Sequence, residues 1–109
     1  NRCAYTMTKG AGSSMTFALA KDDINECIRC TSVSTASVHT LFVDYYLSKN
    51  FPGSEKEMFN NLSKTQPLGR MGEPDEIVNL VLYLCSDEAS FITGSDFSID
   101  GGFVKLNGN

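Results

Sequence analysis

Apolar and polar positions alternate with two periods along the 109 residues, and the switches between them mark the elements. Ala4, Met7, Ala11, Met15, Ala18 and Leu19 recur at helical spacing and predict a helix over 4–22 with that stripe buried. Tyr5, Lys9 and Thr16 fall on a neighbouring face. Gly10 and Gly12 each cost about 1 kcal/mol against Ala in a helix interior, so something else must hold the segment, close packing being one candidate. Cys27 to Val33 is a short, nearly continuous apolar run, as in a strand covered on both faces, and Ser34 to Ser37 reads as a polar loop at its carboxyl end. Ligands bind at such loops in open parallel sheets.

From Val38 to Ser63 the aromatics Phe42, Tyr45, Tyr46, Phe51 and Phe59 lie among Lys and Asn, and Pro52-Gly53 divides the stretch into two short helices. Met58, Phe59 and Leu62 give the second helix an apolar face, and the pair is a candidate substrate lid. Gln66 to Gly72 is a turn-rich connector. Pro74 then opens a helix, with Glu73, Asp75 and Glu76 at the positive end of its dipole and Ile77, Leu80, Val81, Leu84 and Cys85 as its buried stripe. Thr93-Gly94 turns the chain into a strand over 95–99, which Asp100-Gly-Gly102 ends. The order helix, strand, helical insertion, helix, strand predicts an α/β fold with a right-handed crossover between parallel strands, a piece of a doubly wound sheet. Two strands alone leave an edge to be covered.

Composition narrows the function. With 41% hydrophobic and 20% charged residues, the chain has the profile of a single globular domain. Its net charge is -4 and its Lys and Arg residues are scattered singly, which argues against nucleic acid as a partner. The longest apolar run, Ile77 to Cys85, is far short of the ~20 residues that span a bilayer. The chain begins with Asn and shows no signal segment, so its beginning is expected to lie further upstream and its location to be cytoplasmic. Cys27-x-x-Cys30 has the spacing of a metal or redox motif. On a strand those positions point to opposite faces, so Cys3, Cys27, Cys30 and Cys85 are expected to be small buried hydrophobes and no metal is predicted. Asn61-Leu-Ser63 fits the glycosylation sequon, which matters only in a secreted protein. Gly10-Ala-Gly12 is no phosphate loop: Met15 replaces the third Gly, and no strand precedes it. His39, the lone histidine, is a candidate substrate contact together with Phe42.

The residues richest in chemistry are Tyr5 and Lys9. Four apart on a helix, a phenol and an ammonium face the same way, and the cation favours the phenolate over a phenol that ordinarily titrates near about 10. The pair is thereby suited to general acid/base work.

Tyr5-Thr-Met-Thr-Lys9, Ile28-Arg-Cys-Thr-Ser-Val33, Gln66-Pro-Leu-Gly-Arg-Met-Gly72, Tyr83-Leu-Cys-Ser-Asp-Glu-Ala-Ser90, Thr93-Gly94 and Ile99-Asp-Gly-Gly102 occur in that order. In this they resemble the C-terminal half of a short-chain dehydrogenase/reductase, over Asn1 to about Leu106. The resemblance implies that residues 1–109 are the C-terminal portion of one Rossmann-type domain binding NAD or NADP. It implies an oxidoreductase that interconverts a secondary alcohol and a ketone, with the wording closest to members acting on hydroxy acids or sugar-derived acids. It makes Tyr5 the proton donor and acceptor, and Lys9 the group that hydrogen-bonds the nicotinamide ribose. It places Tyr5, Thr35, Ala36, Val38 and Thr40 with Lys9 against the cofactor, with Thr35-Ala36 standing where Pro-Gly is usual, Thr31 for a frequent Asn and Leu41 for a frequent Pro. Cys27 stands where a Gly is common, at a left-handed position that strains a residue bearing a Cβ. The glycine-rich turn, the residue that selects between NAD and NADP, and an upstream catalytic Ser are not among these residues. A homodimer or homotetramer is implied for the complete protein. The competing expectation is an inactive remnant that only associates through its helical and C-terminal surfaces.

Overall fold

The computed structural model describes residues 2–106. Four helices and two strands follow one another as α1 (Arg2–Asp22), β1 (Thr31–Thr35), α2 (Leu41–Asn50), α3 (Glu55–Ser63), α4 (Pro74–Cys85) and β2 (Ser95–Ile99), with short 3-10 turns at Ile24–Glu26 and Asp87–Ala89. The strands pair as neighbours in a parallel sheet, with α2, α3 and α4 in the connection between them. The α/β order and the parallel pairing of the strands are those expected. The described residues divide into two compact units, 2–33 with 81–97 and 34–80 with 98–106.

In the first unit, α1 extends over the predicted span, but its buried positions are Thr16 and Ala20. The predicted stripe is a correction: Met7 is 68% and Met15 59% exposed, and Leu19 is exposed as well. Nor are Gly10 and Gly12 closely packed, because a Cβ on either would meet nothing within 4 Å. What α1 meets is small. Ala20 lies where a Cβ on Gly94 would touch it at 3.5 Å, and the Thr16 hydroxyl turns back to the Gly12 carbonyl.

The strand also begins later than its apolar run. The 3-10 turn and a left-handed Cys27, at φ 58°, intervene, so Ile28 to Cys30 lead up to β1 and Ser34 and Thr35 belong to it. Residues 31–34 are half-buried rather than covered on both faces, and an open groove lined by Thr31, Val33, Val81 and Leu84 runs alongside. Side chains secure the approach. Arg29 donates to the Ile92 and Ser86 carbonyls, the Cys30 amide donates to Thr93 Oγ1, and Ser32 Oγ donates to Asp96 Oδ1 at 2.6 Å. The cysteines are free thiols and not buried: Cys3, Cys27 and Cys85 are exposed and Cys30 is half-buried.

In the second unit, Pro52-Gly53 breaks the insertion into α2 and α3 as predicted, and the two helices pack on each other. Leu47 and Met71 are buried, as is Gln66. Helix α4 starts at Pro74, and Glu76 in its first turn accepts the Glu73 amide at 2.8 Å, the returning half of a capping box. Of its expected stripe Leu84 alone is buried; Ile77 and Leu80 are half-buried, while Val81 and Cys85 are exposed. After β2, Asp100 accepts the amides of Gly102 and Val104, the latter chiefly holding its carboxyl below the usual range.

Candidate active site

The site residues fall into two groups, one in each unit. Tyr5 and Lys9 lie on α1, where regular helix over the whole segment puts them on one face with the Lys9 ammonium 5.4 Å from the centre of the Tyr5 ring. Tyr5 is 65% exposed. A phenol and a cation are therefore presented together and open to a ligand, within the ~6 Å range of cation–π attraction. Gly10-Ala-Gly12 is interior to the same helix. Its amides serve the helix ladder and are not available to cradle a phosphate.

The second group is the loop from Thr35 to Thr40 and the start of α2. Thr35 ends β1 and is exposed; Ala36 and Val38 are half-buried. The loop is held by backbone: Val38 makes a parallel bridge to Gly72, the Gly72 amide donates to the Ser37 carbonyl at 3.0 Å, and the His39 amide donates to the Gly72 carbonyl at 2.8 Å. Ala36, Ser37, Gly72, Ile77, Ile99 and Asp100 are among the residues lining a small cleft of about 70 Å³. Thr40 is the N-cap of α2 in an extended conformation, yet its hydroxyl does not bond to the first turn. Caps of this type ordinarily spend the side-chain oxygen on the helix. Here Thr40 is exposed and makes no such bond.

Phe42 is 73% exposed and stacks on Tyr46, with ring centres 6.5 Å apart. His39, the other expected substrate contact, is half-buried and has partners within its own unit. Its Nε2 lies 3.0 Å from Asp44 Oδ1, its Nδ1 4.0 Å from Glu73 Oε1, and its ring meets the Phe59 ring edge-on at 5.1 Å. Those carboxylates escaped sequence reasoning, because Asp44 and Glu73 converge on His39 only once α2 and the 72–73 segment are in place. Arg70 was likewise missed. It makes two parallel bonds to Glu76, at 2.8 and 2.7 Å. Among the described residues no group of three metal-ligating side chains converges, and no helix is long and apolar enough to cross a membrane.

A family profile described as enoyl-(acyl carrier protein) reductase matches residues 1–104. The chain is 36% identical over 103 residues to 2-keto-3-deoxy-L-fuconate dehydrogenase of Xanthomonas campestris, covering 94% of this chain and 34% of that protein. Its structure is similar to that of a short chain dehydrogenase family protein from Francisella tularensis, with a TM-score of 0.83 and 37% identity over 93% of this chain and 43% of the other. It is also similar to L-sorbose reductase of Gluconobacter frateurii complexed with NADPH and L-sorbose, at a TM-score of 0.85 and 27% identity, covering 93% and 40%. The chain belongs to the short-chain dehydrogenase/reductase family of oxidoreductases. It spans about a third to two-fifths of the length of these relatives.

Proposed function

We propose that these residues are the C-terminal portion, within one Rossmann-type domain, of an oxidoreductase that interconverts a secondary alcohol and a ketone with NAD or NADP. The observation that carries the reading is the exposed Tyr5–Lys9 pair on one helix face, within a chain of this family. The residues present suit the nicotinamide end of such a cofactor. Tyr5 and Lys9 offer a phenol and an ammonium, and Thr40 offers a hydroxyl that its own helix leaves unused. When bound, the cofactor supplies or accepts hydride at the substrate carbon.

The protein's task is then the proton. The Tyr5 oxygen takes the proton of an alcohol as its carbon is oxidised, or returns one to a ketone oxygen as the carbon is reduced. Lys9 hydrogen-bonds the ribose and brings its charge to the ring of Tyr5. Thr35, Ala36, Val38 and Thr40 line the cofactor side, and Phe42 with Tyr46 offers an exposed ring face to the substrate. Hydroxy acids and sugar-derived acids are the proposed substrate class, in keeping with the keto-sugar acid and sorbose named for the two relatives. A cytoplasmic homodimer or homotetramer is proposed for the complete protein.

The test is turnover by the protein isolated from its native source, supplied with a panel of secondary alcohols and hydroxy acids and with either oxidised cofactor. Formation of reduced nicotinamide is the expected result, and none with either cofactor overturns the reading. One observation favours a second reading, in which the chain only associates. Met7, Met15 and Leu19 lie open on α1. Self-association without turnover would select it.

A further inference from the structure

His39, in the 35–40 loop, has side-chain partners from three other parts of the chain. Asp44 stands in the first turn of α2, Phe59 on α3, and Glu73 just before α4. The backbone of the same residue is tied to Gly72, next to Glu73. At 34% exposure the ring is half-buried, while the two carboxylates remain more than half exposed.

The hydrogen-bond inventory fixes what each protonation state does. A carboxylate only accepts, so the 3.0 Å contact with Asp44 requires the proton on Nε2. In a neutral imidazole Nδ1 is then an acceptor, facing the Glu73 carboxylate, itself an acceptor, across 4.0 Å. A protonated imidazole carries a donor on both nitrogens and meets a carboxylate at each. We infer that His39 is a proton-operated clasp: its protonated ring joins the 36–40 loop to α2 and to the Glu73 segment together, and loss of that proton releases the Glu73 arm while the Asp44 contact stays. It is a positioning residue, since it holds the segment that carries Val38, Thr40 and Phe42. That consequence for ligand binding rests on the function proposed above, whereas the clasp itself does not.

The charged groups around it are few. Asp44 and Glu73 face the ring directly, and α3 contributes the uncharged Phe59. Glu55 and Lys56 line, with Asp44 and Phe59, the neighbouring cleft between α2 and α3. Beside Glu73, Glu76 is engaged by Arg70.

The experiment is amide hydrogen exchange on the 109-residue chain, near pH 5.5 and near pH 8. Rates are expressed as protection factors, which divides out the intrinsic pH dependence of exchange. Protection of the His39 and Gly72 amides, which tie the loop to the segment next to Glu73, is expected to be about fivefold higher at the acidic value, the effect of one polar interaction of ordinary net strength. In His39→Gln, whose amide keeps a single donor for Asp44, the protection should remain near the wild-type level at pH 8 and lose its pH dependence. In His39→Leu, which fills the space against Phe59 without a donor, it should fall below that of His39→Gln at both values. Equal wild-type protection at the two pH values overturns the inference, as does pH dependence that survives in His39→Gln, or identical behaviour of Gln and Leu. No cofactor enters the assay, so its failure is distinct from a failure of the oxidoreductase reading.

Discussion

Arg70 and Glu76 meet through two parallel hydrogen bonds, Nη1 to Oε2 at 2.8 Å and Nη2 to Oε1 at 2.7 Å, while the same carboxylate accepts the Glu73 amide. The guanidinium hydrogen bond first, and then that amide, draw the Glu76 carboxyl down to about 2. A lowered folded-state value means that the contact contributes fully above the ordinary carboxylate range and is lost as pH falls from there through about 2. NMR titration of the Glu76 carboxyl should show this depressed midpoint, and Arg70→Gln should raise it toward the ordinary range. Because both groups are solvent-accessible, added salt should weaken the effect.

Cys27 is held at φ 58° and ψ 27°, the one non-glycine residue with positive φ among those described. A Cβ in the left-handed region costs about 1–2 kcal/mol, and the greater freedom of Gly in the unfolded chain returns about 0.5–1. Cys27→Gly is therefore expected to stabilise the chain by about 1 kcal/mol in urea unfolding. A lower midpoint would show that the thiol makes contacts that outweigh the strain.

Gly101 presents the opposite case. Its φ is +58°, and a Cβ there would stand 3.2 Å from the Cβ of Gln66, which is itself buried. Gly101→Ala should destabilise by about 1–2 kcal/mol through backbone strain and this close approach. Unfolding of the variant alongside Gly53→Ala, where φ is +84° but nothing lies within 4 Å, separates the steric part from the backbone part.

Thr40 caps α2 without a side-chain bond. Replacing a capping Thr by Ala usually costs about 1 kcal/mol. Thr40→Ala is expected to leave stability within about 0.5 kcal/mol, the range of an ordinary surface change, and to weaken nicotinamide binding by the complete protein. A full capping loss in thermal unfolding would show that the hydroxyl serves the helix after all.

Much of the architecture was legible from turn chemistry and periodicity. Pro52-Gly53 and Pro74 placed helix boundaries where the structure has them, and the alternation around Phe97 placed β2. Cys27 was readable too, as a side chain where glycine is favoured. What periodicity could not supply is which face is covered. Met7 and Met15 carry the apolar signature of a core stripe, yet burial requires a partner surface, and within its unit α1 buries only Thr16 and Ala20. The start of β1 was misplaced because apolar Ile28 has strand character, whereas the preceding left-handed turn delays pairing until Thr31. Of the site, the Tyr5–Lys9 pair follows from helix geometry alone. The partners of His39 do not, since Asp44 is five residues away and Glu73 thirty-four, and their meeting depends on the 38–72 bridge.

Tyr5→Phe is the most direct test, because it removes one oxygen and leaves the ring beneath Lys9. In the protein from its native source, turnover of a secondary alcohol should fall by about 10²–10⁴-fold, the usual share of a positioned acid/base. Turnover at the wild-type rate would contradict the assignment of the proton to Tyr5.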